Sequence, residues 1–507
     1  MLYFYDDAAI AGIANLERVP GPVEKLGQVL EPDQPSDGRR CMSFCSSIVP
    51  LEEGGWRLYY SVSDFKAGLR GIAVAESADG RHWEKPTLGQ LQVAGKDSNR
   101  LAVAGLGEGV TRYSQPQVCR TAAGTWWMYF WVNHRPYLRY VLAASEDGLE
   151  WAVAEFERPV IYHPLELGSW IWTPGVPPPV DDAVTGPDQK ALETFVPGPE
   201  AQWGQLLEQL DADELVRLKG LRANDAVYVY LDEESGLYEL YAPWPLCNVE
   251  DSPRRVEHDN APFMVRAIHR RTSSDGLEWS DAELLIAPDE GDPLDQQFYY
   301  LAQHRQQGWR IGMLGSYPVH DQTMDIELCF SRDGRRWERP LRMPWIERED
   351  PEEAGMIYAP NRLIDEGEQW LLLYTASPGR HGDIRTAECA TVRAARFPKH
   401  RFLGLRPPAG GPGCLWTRPF VLGGTEIRVD AQIDGRLRAE LCEPFGRPLP
   451  GFTKANSSVI SGDSTGHVLS WKGADPRHYA HNAVSLRLEV EKGTVFNIHW
   501  TGWPASA

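Results

Sequence analysis

A seven-residue box recurs four times along this chain and limits the choice of fold more than any other feature of the sequence. It reads S-x-D-G-x-x-W and occupies residues 77–83, 145–151, 273–279 and 331–337. Asp-Gly supplies the positive φ angles of a tight turn, the Ser and Asp side chains bond turn amides, and the Trp covers the turn from the next strand. Strand-like runs such as 71–75 and 324–330 precede the boxes. Each box is therefore expected to close the outer hairpin of a four-stranded unit.

The box aspartates, Asp79, Asp147, Asp275 and Asp333, lie 68, 128 and 58 residues apart. That spacing suits β-propeller blades with one large insertion in the middle gap. The insertion, at about 162–221, is rich in Pro and acidic residues. It includes Leu206, Leu207, Leu210, Leu215 and Leu218 at helical spacing, so one helix is expected there. Runs at 369–374 and 388–392 supply strands for a fifth blade that has no box of its own. From about Gly404 the character changes: a Pro- and Gly-rich stretch at 407–413 leads to alternating runs at 426–429, 437–442, 467–471, 484–490 and 495–500. These predict a β-sandwich. The expected fold is all-β: a five-bladed β-propeller over 1–403 carrying a partly helical insertion, then a C-terminal β-sandwich domain over 404–507.

Charge and composition narrow the function. Lys and Arg number 51 against 71 Asp and Glu, a formal balance of −20 that disfavours general nucleic-acid binding. No stretch approaches the roughly 20 apolar residues of a membrane-spanning helix, and the start holds Asp6 and Asp7 with no basic region ahead of an apolar run. A cytoplasmic protein with no membrane partner is expected. The eight cysteines are spread singly apart from Cys41 and Cys45, which predicts buried thiols rather than a disulfide framework or a zinc knuckle. Nineteen Trp and nineteen Tyr either fill a core or stack on sugar rings. There is no G-x-G-x-x-G after a strand, no phosphate-binding G-x-x-x-x-G-K-[ST], no H-E-x-x-H and no C-x-x-C, so no cofactor and no metal is expected. Whether the chain forms a homo-oligomer is left open.

The opening Leu2-Tyr3-Phe4-Tyr5-Asp6-Asp7, the segment 77–86 with Leu88-Gly89 after it, and 331–340 carry a family resemblance. So do Gly446-Arg447-Pro448-Leu449-Pro450-Gly451-Phe452, Ser461-Gly462-Asp463 and 468–473 in the C-terminal domain. On these the chain resembles the glycoside hydrolase family 32-like group of five-bladed propeller proteins, over nearly its whole length. The resemblance implies a glycosidase-like hydrolase whose partner is a small-molecule carbohydrate or glycoside, a small or terminal, furanose-like sugar held in the propeller funnel. The group's W-x-N-D-P-N-G of the first blade, R-D-P of the second and E-C of the third are not intact at those blades here. At the second-blade position stands Tyr113-Ser114-Gln115-Pro116-Gln117, with amides where an Asp belongs.

In a propeller the innermost strands point their first residues into an axial funnel, so one short stretch per blade assembles the site. The candidates are 37–43, 113–117, 224–225, 295–299 and 353–358. Glycoside hydrolysis needs two carboxyl groups, one protonated and one ionised, and converging carboxylates raise one another's pKa. Asp225, Asp295 and Glu353 each begin an inner-strand stretch on a different blade, and they form the expected catalytic set. Exposed turn acids or strand-start caps are the alternative reading of each. Asp7, Gln115, Gln297, Tyr299, Tyr358 and His381 are the expected substrate contacts, with Trp170 and Trp172 at the head of the insertion either stacking on sugar or packing between domains. Asp325 and Glu327 are read as a surface-facing pair. Two other functions compete: a sugar-binding or scaffolding propeller without catalysis, and a lyase, transferase or cyclase of specialised metabolism. A sialidase is set aside because no arginine cluster falls at the strand starts.

Overall fold

The computed structural model describes residues 1–64, 67–134, 137–162, 225–247, 264–383, 389–424 and 426–501. The helix expected within the insertion, together with Trp170 and Trp172, lies outside them.

Five antiparallel sheets follow one another around an axis. Their inner strands are Arg40–Pro50, Tyr113–Arg120, Tyr228–Leu231, Gln296–Gln306 and Met356–Tyr358. Each pairs with a middle strand: Trp56–Asp64, Trp126–His134, Tyr238–Cys247, Trp309–Pro318 and Gln369–Ser377. The middle strands are apolar on both faces, as in Leu58-Tyr59-Tyr60 and Leu371-Leu372-Leu373, because one blade packs on each side of them.

Each box behaves as the same turn. Ser77 Oγ accepts from Gly80 N at 2.8 Å, Asp79 Oδ1 accepts from the amides of Arg81 and His82, and Trp83 Nε1 donates to Gly80 O at 2.9 Å. The serine bond repeats at Ser145, Ser273 and Ser331, and the indole bond at Trp151 and Trp337, whereas Trp279 Nε1 has no hydrogen-bond partner among the described residues. The box glycines sit at φ 73–79°, where a side chain is strained; Gly80, Gly148 and Gly276 face the preceding blade, and Gly334 faces Arg310 of its own. Tyr59 of blade one donates to Gly148 O at 2.7 Å in the box of blade two, and Tyr129 of blade two to Gly276 O at 2.9 Å in that of blade three. A Cβ on Gly80 would meet Ile364 and Leu371 of blade five. The boxes thus rivet neighbouring blades as well as turning the chain.

Blade five lacks a box because its outer strand comes from the other end of the sequence. Glu24–Leu30 pairs antiparallel with Thr391–Pro398 and closes the ring. Residues ahead of it depart from the expected boundary. Leu2–Tyr3, Ile10–Ala14 and Glu17–Pro20 pair with Thr494–Thr501, Gly413–Thr417 and Leu403–Arg406, within the C-terminal sheet rather than in a blade. That sheet has ten strands. Its long strand Glu426–Cys442 bonds Thr494–Thr501 along its first half and Ala483–Val490 along its second, so the sheet curls over its own core. Trp471 belongs to that core, with Nε1 donating to Ala439 O at 2.9 Å. Buried Arg401 ties the two domains, reaching Asp430 and Asp463 of the sandwich at 2.7 Å each. Among the described residues no helix is long and apolar enough to cross a membrane. Cys41, Cys45, Cys329 and Cys442 are buried free thiols.

Candidate functional site

The inner strands bulge where they approach the axis. Pairing slips between Met42 and Ser47, between Ser114 and Gln117, and between Phe298 and Leu301. Cys45, Gln115 and Ala226 take positive φ angles of 45°, 59° and 71°. A bulge re-aims side chains, and non-glycine residues in this region cost energy that the surroundings must offset. The offset is visible as hydrogen bonds across the axis. Cys45 N donates to Tyr228 OH at 3.1 Å, Tyr228 OH to Ala359 O at 2.7 Å, and Ala359 N to Tyr300 OH at 2.9 Å. Phe44, Tyr300 and Tyr358 pack beside this network, with ring centroids 4.4 Å apart for Phe44 and Tyr358.

Next to these rings lies a cavity of about 60 Å³. Its wall includes Ser61, Ser114, Gln115, Asp225, Tyr299, Tyr358 and His381. Five expected site residues therefore meet: Asp225, Gln115, Tyr299, Tyr358 and His381. Gln115 Nε2 donates to Asp225 Oδ2 at 3.4 Å, while its Oε1 accepts from Tyr140 OH and from Ala226 N. The strained turn at Gln115 is thus what presents an amide to the acid. Burial pushes the Asp225 carboxyl above the usual carboxylate range, and the charges of Arg70 and Arg266 and the Gln115 amide only partly oppose this. His381 sits between two phenols, with Nε2 3.0 Å from Tyr299 OH and Nδ1 3.3 Å from Tyr317 OH. Tyr358 OH donates to Met356 Sδ.

The other expected residues are elsewhere. Glu353 is fully buried in blade five, where Lys25 Nζ and Tyr374 OH each lie 2.6 Å from its carboxylate and Arg393 Nε 3.4 Å. It fastens the ring-closing strand rather than facing the cavity. Asp295 caps the turn after Trp309–Pro318, where Val319 N donates to its carbonyl and His320 N to its carboxylate. Gln297 supports Arg266, its Oε1 accepting from Arg266 Nη1 at 2.7 Å. Asp7 pairs with Arg18 beside a cleft of about 370 Å³ near blade four. That cleft is roomier, but Arg18, Arg339 and Arg342 along it are each tied to acids, which makes it a salt-bridged seam. Asp325 and Glu327 are buried, not surface-facing: Arg348 and Arg339 cover them at 2.6 and 2.8 Å. A strand buried on both faces hides a period-2 pattern, and the arginines come from beyond the next box.

Arginine is what the sequence reading missed. Arg40 and Arg70 line the cavity, and fully buried Arg266 lies behind it with its guanidinium 5.2 Å from the Tyr299 ring. Arg40 is itself a strand start. Arg70 begins no inner strand, and only the pairing register of blade one brings it to the axis.

No family model matches the sequence, and no curated protein matches it. Solved structures do match its chain path. A thermostable family-43 glycoside hydrolase shares 14% identity at a TM-score of 0.42, covering 69% of this chain and 88% of that one. A glycosyl hydrolase from Bacteroides ovatus shares 13% at 0.45, covering 76% and 95%. An N-acetylgalactosamine deacetylase from F. plautii, in complex with blood group B trisaccharide, shares 14% at 0.44, covering 77% and 97%. The chemistry of the cavity has to come from its own residues.

Proposed function

We propose that this protein is a carbohydrate-processing, glycosidase-like enzyme that seats a small or terminal sugar at the mouth of the axial cavity, with Asp225 handling the proton. The observation that supports this is the Asp225 carboxyl, held by Gln115 in a cavity also walled by phenols and an imidazole. A carboxyl raised above its ordinary pKa retains its proton closer to neutrality and can give it to a departing oxygen. Tyr299, Tyr358 and Phe44 offer ring faces and hydroxyls of the kind sugars use. His381, oriented through both ring nitrogens, is the partner group within reach of the same space.

Asp295 and Glu353, expected beside Asp225, are not among the residues that line this cavity. Among the described lining residues Asp225 is the one carboxylate. This favours a second reading, a propeller that binds sugar without turning it over. Turnover of a broad panel of nitrophenyl glycosides and natural oligosaccharides, alongside calorimetric titration, separates the two. Release of reducing sugar by the wild type and its loss in Asp225→Asn support the enzyme. Binding with no release by either protein supports the binder, and activity untouched by the substitution removes Asp225 from the role.

A further inference from the structure

The ladder of blade one sets three polar residues in one cross-strand row. Arg40 stands opposite Ser63, and Ser63 stands opposite Arg70. Directly opposed residues share a face of the sheet, and all three line the axial cavity. Two guanidiniums thus flank a hydroxyl on one wall. Ser114 of blade two lines the same cavity, and its buried Oγ has no hydrogen-bond partner among the described residues.

Placing two cations on one row has a cost. Burial draws the Arg40 guanidinium down to about 10, and the charge of Arg70 acts in the same direction, against Tyr358 and Asp64. Arg70 is lowered as well, burial outweighing the attraction of Asp225. A negative group entering the cavity would gain charge-assisted hydrogen bonds from these planar forks, each of which carries five donors suited to two-oxygen anions. The size agrees. A cavity of about 60 Å³ suits a carboxylate-sized group, whereas whole-ligand pockets run to roughly 300 Å³ or more.

Resting on the reading of this cavity as the sugar site, we infer that the sugar is anionic, its oxyanion lying between Arg40 and Arg70 with Ser114 donating to it. A uronate carboxylate and a sugar phosphate share this chemistry, and the test separates them. The neutral remainder of the ring then faces Asp225, Tyr299 and His381.

The experiment is calorimetric titration of the full chain, at low salt, with matched pairs: D-glucuronate against D-glucose, D-galacturonate against D-galactose, and glucose 6-phosphate against glucose. The expected result is that at least one anionic sugar binds about 10-fold or more tightly than its neutral partner. Arg70→Gln should abolish that preference, Arg70→Lys should keep part of it, and Ser114→Ala should weaken the anionic sugar alone. Melting curves verify that each variant is folded, and Arg70→Lys carries the test if Arg70→Gln is not. Uronate ranking above phosphate assigns a carboxylate, and the reverse order assigns a phosphate. Equal binding of charged and neutral partners, no binding of any of these probes, or an Arg70→Gln that weakens both members of a pair alike would overturn the inference. Nitrophenyl glycosides of the tightest-binding anionic sugar that bind but are never hydrolysed would leave the inference standing and sink the enzymatic reading. Turnover of neutral glycosides that needs Asp225 and ignores charge would do the opposite.

Discussion

Asp225 and Glu353 make an instructive pair. Both stand just ahead of an inner strand, both are surrounded by cations, and nothing in their local sequence separates them. Glu353 meets Lys25, Tyr374 and Arg393, all from its own blade and from the strand that closes it. Its oxygens are used up and no face is open. Asp225 has Arg266 from its own blade but also Gln115 from blade two and Arg70 from blade one, and one side of it borders a cavity. An acid whose partners come from within one sheet holds that sheet together. An acid whose partners converge from several sheets onto open space is placed to meet something else.

Substitution at the two positions should give opposite phenotypes. The largest effect belongs to Asp225→Asn, which is expected to lower kcat/KM by about 10²- to 10⁴-fold while melting stays close to that of the wild type. The wild-type rate should fall as pH rises through the raised Asp225 pKa, because the protonated donor is lost, and that limb should vanish in the variant. A variant that melts early and keeps its specific activity would make the two acids equivalent. Glu353→Gln is expected to do the reverse, costing about 3 kcal/mol in a denaturant titration by leaving Lys25 and Arg393 without their acid, with kcat per folded molecule unchanged.

Gly148→Ala extends the contrast to the outer belt. Its Cβ would fall 2.7 Å from Tyr59 OH at a positive φ, so a loss of about 1–3 kcal/mol is expected, read from the same denaturant midpoint, without effect on the cavity. Tyr317→Phe removes one of the phenols that bond His381. A drop of about 5-fold in kcat is expected, worth roughly one hydrogen bond. An unchanged kcat would reduce Tyr317 to packing.

The smallest effect concerns histidines away from the site. Burial draws His269 down to about 4 and His304 to about 3. Below pH about 6.5 the unfolded chain takes up protons that the native chain refuses, so stability should fall as pH drops from about 6.5 towards 4. Melting temperatures across that range check it, and His269→Asn should flatten part of the slope.

The repeating turn was readable because its chemistry is local: Ser77, Asp79, Gly80 and Trp83 bond one another within seven residues, so sequence alone carries the geometry. Asp225, Gln115, Tyr299 and Tyr358 come from stretches read as inner-strand starts and His381 from the loop after a blade-five strand, and all five line one cavity. What escaped depends on register. Arg70 reaches the axis only because it lies opposite Ser63, and no local pattern announces a cross-strand neighbour. The fate of Glu353 was hidden for a related reason, since its main partner, Lys25, is 328 residues away. The first twenty residues look like an entry into the propeller, and only their pairing with Leu403–Arg406, Gly413–Thr417 and Thr494–Thr501 assigns them to the other domain.

Those early strands also govern how the molecule is made. Residues 2–30 are translated hundreds of residues ahead of their hydrogen-bonding partners, which lie between Thr391 and Thr501. In between, the nascent chain carries open strand edges on these segments while blades one to four can already assemble behind them. Ring closure waits for Thr391–Pro398 and completion of the second sheet for Thr494–Thr501, so a chain released between the two would close its ring yet leave Leu2–Tyr3 and Glu426–Cys442 with open edges, a substrate for chaperones and proteases.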